Sequence, residues 1–149
     1  MTNIAIQKNI NIYKSEMFFH ACHNDRLEII KYLNDSSWIS FTIIDNKMLD
    51  WICSEHILIA KYLFNLPDIY NILDININHI FLCFCKNNLY EFVNKIVDEY
   101  KITKFNDGFV LCCSTGNIKI AELLLQKFNE LDIHYDDESA FKKSCYNCQ

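Results

Sequence analysis

The residues best able to do chemistry in this 149-residue chain are its eight cysteines and five histidines. Thiolates and imidazoles bind zinc, and a structural zinc site gathers four of them. Cys145 and Cys148 have the Cys-x-x-Cys spacing of half such a site, but no second well-placed pair completes it. The sequence therefore predicts no bound metal and no cofactor.

A nucleophilic cysteine would need a histidine as base and a cationic neighbour or helix N-terminus to activate it. His20 and Cys22 share one predicted helix two residues apart, so they lie on different faces. Cys83 and Cys85 diverge in the same way. No Gly-rich phosphate loop, Gly-x-Ser-x-Gly elbow or His-Glu-x-x-His motif occurs. We expect no catalysis, and a thiol- or zinc-dependent enzyme stays the less favoured alternative.

An acidic stretch near the C-terminus does not match a calcium loop, which needs a glycine at its sixth position and a glutamate at its twelfth. The stretch comprises Asp132, Asp136, Asp137 and Glu138, and we interpret it as a solvated loop. Trp38 is expected to pack beneath a loop, and Trp51 falls in a predicted helix.

The composition predicts a globular protein, since 51% of the residues are hydrophobic and 14% are aromatic. A net charge of −5 disfavours nucleic-acid binding, which depends on Lys and Arg neutralising phosphates. No apolar run reaches the length of a membrane span, and the N-terminus lacks a signal-peptide pattern. We therefore expect an intracellular protein, cytoplasmic or nuclear, with reduced thiols and no membrane contact.

One pattern recurs along the chain: a large apolar residue, then one helical turn later a small residue pair, then an amphipathic segment. The cysteines of the small pairs are Cys22, Cys53, Cys85, Cys113 and Cys145, spaced by 31, 32, 28 and 32 residues. The large residues four positions earlier are Phe18, Leu49, Phe81, Phe109 and Phe141. Two markers in one register indicate an internal repeat.

Each repeat predicts two antiparallel helices joined by a polar turn. The first helices are expected near residues 16–22, 48–53, 79–85 and 108–113. The second helices carry apolar residues at helical spacing, as Ile118, Ala121 and Leu124 do in the fourth repeat. Because one pair cannot bury its apolar stripe alone, such pairs stack into a continuous core.

This pattern resembles the ankyrin repeat, whose core motif runs Ala-Ala-x-x-Gly-His-Leu-Glu-Val-Val-Lys-Leu-Leu-Leu. Residues 112–125, CCSTGNIKIAELLL, follow that motif almost position by position, and residues 21–33 follow it nearly as well, with Asp25 at the glycine position. The Ile/Asn-rich composition is similar to that of ankyrin proteins abundant in giant DNA viruses. The resemblance covers roughly residues 15–145. It implies an all-α ankyrin-repeat solenoid of about four repeats plus a C-terminal half repeat.

The chain departs from the family motif in several places. The Thr-Pro-Leu-His opening is absent, and the second repeat is one residue short between Cys53 and Ile57. Phe84 replaces a small residue in the third repeat, where we expect it to push the two helices apart. In the ankyrin alignment the marker cysteines occupy the small buried alanine position, where cysteine acts as a small hydrophobe.

These boundaries divide the chain into an N-terminal segment or cap, 1–14, and an ankyrin-repeat domain, 15–149. The repeats fall near 15–45, 46–77, 78–105 and 106–137, with a half repeat at 138–149. A bulky charged residue at Cys113 or Ala121 is expected to unfold the array, since both are predicted at helix contacts.

The resemblance also implies a protein partner, bound on a concave face made by inter-repeat loop tips and the ends of the first helices. The predicted loop-tip contacts are Tyr13, Ser15, Ile44, Asn46, Asn76, Asn78, Lys104, Asn106, Tyr135 and Asp136. The predicted helix-end contacts are His23, Asn24, Ser54, Lys86, Asn87, Ser114 and Thr115.

The function expected from this resemblance is a non-enzymatic, monomeric interaction module, in the viral case one that engages a host factor. A degenerate structural repeat protein without a tight partner is the alternative. At a loop tip, asparagine also serves turn geometry alone.

Overall fold

The computed structural model describes residues 2–36, 44–67, 69–72 and 76–147, with the side chains of 2–12, 71, 72 and 147 left out. Throughout these ranges the regular structure is helical and no strand occurs, which confirms the predicted all-α class. None of the helices in these ranges is both long and apolar enough to cross a bilayer. The predictions for Trp38 and Cys148 lie outside the described residues.

The chain divides into two compact units, of which the first is Met1–Asp74. Its helices are α1 (Thr2–His23), α2 (Leu27–Asp35), α3 (Asn46–Glu55), α4 (Ile57–Phe64) and the single turn α5 (Ile69–Ile72). Helix α1 packs on α2, and α3 packs on α4. The predicted boundary at residue 14 falls inside α1, so the backbone of the expected N-terminal segment continues directly into the first helix.

The second unit is Ile75–Gln149. Its helices are α6 (Ile77–Lys86), α7 (Tyr90–Glu99), α8 (Phe105–Thr115), α9 (Ile118–Lys127) and α10 (Tyr135–Asn147). Helix α6 packs on α7 and on α8, while α9 packs on α7 and α8, and α10 covers α8. First helices of successive pairs are therefore neighbours in this unit, and so are second helices.

Three of the turns between paired helices share one backbone geometry. Asp25, Asn88 and Gly116 end the first helix with positive φ angles of 52°, 56° and 72°. The next residue in each turn has ψ between 62° and 65° and precedes the second helix. Its backbone N–H donates five residues back, as Asn117 does to Cys112 O at 2.9 Å.

The turn between α3 and α4 differs because it is one residue shorter. His56 serves both as the C-cap of α3 and as the residue before α4, with φ −122° and ψ 55°. Its backbone N–H donates to Ile52 O at 3.0 Å. The missing residue predicted between Cys53 and Ile57 is thus the left-handed residue of the other three turns.

Phe84 does not disturb the turn that follows it. Its side chain is fully buried, and its ring centroid lies 5.5 Å from that of Phe92 on α7. The α6–α7 turn keeps the geometry of the α1–α2 and α8–α9 turns, with Leu89 N donating to Phe84 O at 3.0 Å. The turn is therefore not distorted by Phe84, and the expected separation of the two helices stays a prediction.

Most marker residues are buried as predicted. Cys22, Cys53 and Cys85 are fully buried. The larger apolar markers before them are buried too: Phe18, Leu49, Phe81 and Phe109. In the fourth pair the prediction is wrong by one residue, since Cys112 is buried while Cys113 and Ala121 are half-buried. Cys112 turns toward α6, with its Sγ 3.9 Å from Cys85 O.

The fifth set of markers does not join the core. Phe141 is 67% exposed and Cys145 is exposed. Ser139 and Ala140 are buried in their place. The reason lies at the start of α10, where residues 136–138 adopt positive φ angles and kink the helix. The kink presents the small residues inward and Phe141 outward.

Gly108 permits the close packing of α8 on α6. A Cβ at this position would lie 2.4 Å from Cε1 and 2.6 Å from Cζ of the Phe81 ring. Such distances do not occur between real atoms, so a larger residue would force Phe81 and its surroundings to move.

The left-handed turns predict opposite effects for two substitutions. Gly116→Ala should destabilise the protein by about 1–2 kcal/mol, because an L-residue is strained at this φ and its Cβ gains no contact. Asn88→Gly should stabilise it by less than about 1 kcal/mol, since asparagine tolerates this region better than other residues. Urea unfolding measures both, and equal effects of the same sign would contradict the assignment of the turns.

Candidate functional site

An aromatic cluster lies on the exposed side of α1 and α3. The Phe19 ring stacks on Trp51 with centroids 5.3 Å apart, and the His23 ring lies 6.1 Å from Trp51. Phe19 is 48% exposed, His23 is exposed and Trp51 is half-buried. We call Phe19, His23 and Trp51 the aromatic cluster. The three rings together form a partly exposed aromatic patch on the surface.

Trp51 is held in place from its own helix. Its indole N–H donates to Glu55 Oε2 at 3.1 Å, one turn later on α3. The Trp51 and His56 rings also form a T-shaped pair, with centroids 4.4 Å apart. A side chain fixed in this way loses little conformational entropy when a partner covers it.

His56 links this cluster to the first turn. Its imidazole is buried, and Nδ1 lies 2.6 Å from Asp25 Oδ1. The carboxylate accepts this hydrogen bond, so Nδ1 donates. The other ring nitrogen, Nε2, is buried without a hydrogen-bond partner among the described residues. His56 thus connects the Asp25 turn to the start of α4.

A groove of about 350 Å³ opens beside the aromatic cluster. Phe19 and Trp51 form one part of its lining, and Met48, Asp45 and Lys47 form the rest. Asp45 also caps α3, accepting a hydrogen bond from Met48 N at 2.8 Å. The groove is mainly apolar with one charge of each sign, which suits a peptide side chain better than a charged small molecule.

Only some of the contacts predicted in the first unit are exposed to solvent. Ile44 is 3% exposed, so it belongs to the core, and its prediction as a contact is wrong. Tyr13 and Ser15 lie inside α1 rather than at a loop tip. The other predicted contacts of this unit are exposed: His23, Asn24, Asn46 and Ser54. Of all these, the structure brings His23 into the aromatic cluster.

Several polar side chains predicted as contacts cap their own helices instead. Asn24 Nδ2 donates to His20 O at 2.8 Å, and Asn87 Nδ2 donates to Cys83 O at 2.9 Å. The hydroxyls of Ser114 and Thr115 each donate to Leu111 O at 2.8 Å. These side chains add a second donor to carbonyls in the last turn of a helix, since His20 O and Cys83 O also accept the backbone N–H groups of Asn24 and Asn87.

Two asparagines predicted at loop tips bind the following loop of the same unit. Asn78 Oδ1 accepts from the backbone N–H groups of Thr103 (2.8 Å) and Lys104 (3.1 Å). Asn106 Oδ1 accepts from Asp132 N at 3.0 Å. Both lie seven residues before a marker cysteine, so equivalent positions make equivalent bonds. Asn76 is exposed and caps α6 through a bond from Asn78 N.

Three of the remaining predicted contacts, Lys104, Tyr135 and Asp136, gather at the α8–α10 end of the second unit. Lys104 pairs with Asp107 at 3.2 Å, and a hydrogen bond from Tyr135 to the Asp107 carboxylate raises the pKa of the phenol. Asp136 is exposed, and with Tyr135 and Asp107 it lines a groove of about 230 Å³. Lys86 is exposed at the end of α6.

The thiols are poor candidates for chemistry. Burial raises the pKa of Cys22 to about 12, with a smaller contribution from the Asp25 charge. Burial also raises the pKa of Cys85 and Cys113, and in both cases Cys112 raises it further. A thiolate is the reactive form, so these shifts oppose nucleophilic or metal-binding roles. In the described part of the chain, no group of three or more Cys, His, Asp or Glu residues is placed to hold a metal ion.

Sequence reasoning missed Phe19 and the surface role of Trp51. In the repeat register both precede a marker cysteine, Phe19 by three residues and Trp51 by two. In α1 and α3 these side chains stay partly exposed, although Val110 and Cys83 at the equivalent positions of α8 and α6 are buried, so the sequence carried no clear signal for the cluster.

No protein-family model, curated protein or solved structure matches this chain. The likeness to ankyrin repeats therefore depends on the residues and turns already described.

The cysteines predict a sharp difference in reactivity. In a Cys148→Ser variant, Cys145 should react rapidly with an aromatic disulfide reagent, because its side chain is exposed. Cys22 and Cys85 should react only on unfolding, because both are buried with raised pKa values. Peptide mass spectrometry of the labelled native protein locates the modified thiols. Fast labelling of Cys22 or Cys85 would reopen a chemical role for them.

Asn78→Ala should lower stability by about 1–2 kcal/mol, because it leaves two backbone N–H groups without their acceptor. Asn46→Ala offers a control at the same register position, with an exposed side chain. We expect it to cost less, as judged by thermal or urea unfolding. A silent Asn78→Ala variant would show that these bonds do not hold the loop.

Proposed function

We propose that this protein is a non-enzymatic interaction module built as an ankyrin-type repeat array. In this proposal it binds a protein partner through the aromatic cluster, Phe19, His23 and Trp51. The observation that carries the proposal is this cluster, partly exposed, stacked and braced by Glu55 and His56. Aromatic residues in such settings are the commonest anchors of protein interfaces.

The repeat geometry supports the ankyrin part of the proposal. The left-handed residues Asp25, Asn88 and Gly116 fall three positions after marker cysteines, where the ankyrin motif has its glycine. The bonds from Asn78 and Asn106 repeat at the same register in the second unit. Helix order within that unit, with first helices adjacent and second helices adjacent, also agrees with stacked pairs.

The net charge and the thiol pKa values favour a protein partner over a nucleic acid or a small substrate. The net charge is −5, which opposes phosphate binding. The raised thiol pKa values oppose cysteine catalysis. The Ile/Asn-rich composition leads us to propose further that this is a viral protein engaging a host factor in the cytoplasm or nucleus.

A comparison of captured partners tests the proposal. The immobilised wild type and a Phe19→Ala/Trp51→Ala variant are exposed to host-cell lysate, and bound proteins are quantified by mass spectrometry. A specific partner should bind the variant weakly, with a loss of about 2 kcal/mol or more if the cluster is a hot spot. Leu58→Ala, at an exposed residue of α4, is the matched control and should bind normally.

Two further variants separate the outcomes. Phe19→Ala alone keeps Trp51 with its contacts to Glu55 and His56, and circular dichroism of this variant shows whether a binding loss comes from a damaged helix. A Lys86/Asn87/Ser114/Thr115 quadruple alanine variant tests the surface predicted from the sequence. Partner lists that are identical for wild type and every variant would contradict the proposal and favour a structural repeat protein without a tight partner.

A further inference from the structure

The second helix of the first pair exposes a residue that the other pairs bury. The third residue of α2 is Ile29, which is 47% exposed. The third residues of α4, α7 and α9 are Ile59, Phe92 and Ile120, which are 1%, 4% and 0% exposed. The same position is therefore a core position in three pairs, and α2 alone presents it to solvent.

The first helix of this pair shows the same difference. Met17 lies five residues before marker Cys22 and is 43% exposed. The residues at that position in α3, α6 and α8 are Met48, Ile80 and Gly108, which are half-buried, buried and buried. The uncovered side thus spans both α1 and α2. It has the residue types of a helix-pair contact face without a partner.

These residues line a groove of about 640 Å³ between α1 and the start of α2. Tyr13, Met17 and Ile29 supply its apolar lining. We call this surface the α1–α2 face. Exposed apolar patches of this kind on a globular protein mark association sites.

Two opposite charges in the groove indicate what covers it. Glu16 lies on α1, and Arg26, the only arginine in the chain, precedes α2. Neither makes an ion pair with a described residue, while four lysine–carboxylate pairs are formed in the same ranges. A surface with one charge of each sign is complementary to itself when a two-fold axis relates two copies.

We propose that the α1–α2 face is the interface of a symmetric homodimer. In this dimer Met17 and Ile29 of each copy pack against the same face of the other. Glu16 of one copy pairs with Arg26 of the second, and the reverse pair forms across the axis. The charges fix the register, and the apolar contacts supply most of the affinity. This proposal replaces the monomer expected from the sequence, because the sequence alone did not reveal the exposed α1–α2 face.

Sedimentation velocity over a wide concentration range tests the apolar contact of Met17 and Ile29. It measures the mass of the protein in solution. Wild type should approach twice the chain mass as concentration rises. Ile29→Glu should weaken the dimer at least about tenfold, because it places a charge in the contact. Leu58→Glu introduces the same charge at an exposed residue of the same unit, outside the groove, and should dimerise as wild type does.

A charge reversal tests the pairing. Glu16→Arg should weaken the dimer, since each Arg26 then faces a second arginine. Adding Arg26→Glu to that variant should restore it, because the pairs re-form with exchanged signs. Circular dichroism and thermal unfolding check that each variant is folded. We expect every variant to fold, because Glu16 and Arg26 are both exposed.

Several outcomes would overturn the proposal. A wild type that stays at the chain mass at every concentration would exclude the second copy as the occupant. A dimer that tolerates Ile29→Glu would place the interface elsewhere. Masses that grow beyond the dimer would indicate head-to-tail stacking, and a double variant that stays monomeric would contradict the two-fold pairing. None of these results depends on the aromatic cluster, since its residues do not line this groove.

Discussion

The left-handed residue that ends the first helix of a pair is the constraint on which the rest of the structure depends. At Asp25, Asn88 and Gly116 the chain leaves the helix with positive φ, and the next residue starts the return. A hydrogen bond spanning five residues closes each turn at 2.8–3.0 Å. Each of these turns returns the chain into a second helix packed on the first, and Cys22 and Cys85 are buried beside two of them. Cys53 is buried as well, beside the shorter turn at His56.

A second set of bonds joins one pair to its neighbour within the second unit. Asn117 Nδ2 donates to Cys85 O at 2.8 Å, across 32 residues, and Asn78 and Asn106 bind the loops that follow their pairs. Gly108 lets α8 approach the Phe81 ring of α6 closely, since a Cβ there would lie 2.4 Å from Cε1. Two asparagines predicted as partner contacts, Asn78 and Asn106, therefore have their Oδ1 atoms occupied by backbone N–H groups of the same unit.

The sequence predicted what depends on local pattern and missed what depends on neighbours. Helical class, pairing and the burial of Cys22, Cys53 and Cys85 follow from spacing within one repeat. The exposure of Phe141 follows from a kink at residues 136–138 that no motif signals. Ile44 was predicted to be exposed and Cys113 to be buried, and both predictions were wrong. Their burial depends on which side of the loop or helix packs against the next element. The candidate site was predicted only through His23, because its aromatic partners meet by packing between α1 and α3.

The first turn also explains why aspartate stands where the ankyrin motif has glycine. Asp25 adopts the left-handed backbone conformation, with φ 52°, although it is not a glycine. Its carboxylate accepts a hydrogen bond from buried His56 at 2.6 Å. His56 in turn makes a T-shaped ring contact with Trp51, which also contacts Phe19, His23 and Glu55. A glycine would relax the backbone but remove the bond that orients the imidazole. The residue that shapes the turn therefore also positions the aromatic surface, so in this unit fold and candidate site share one interaction.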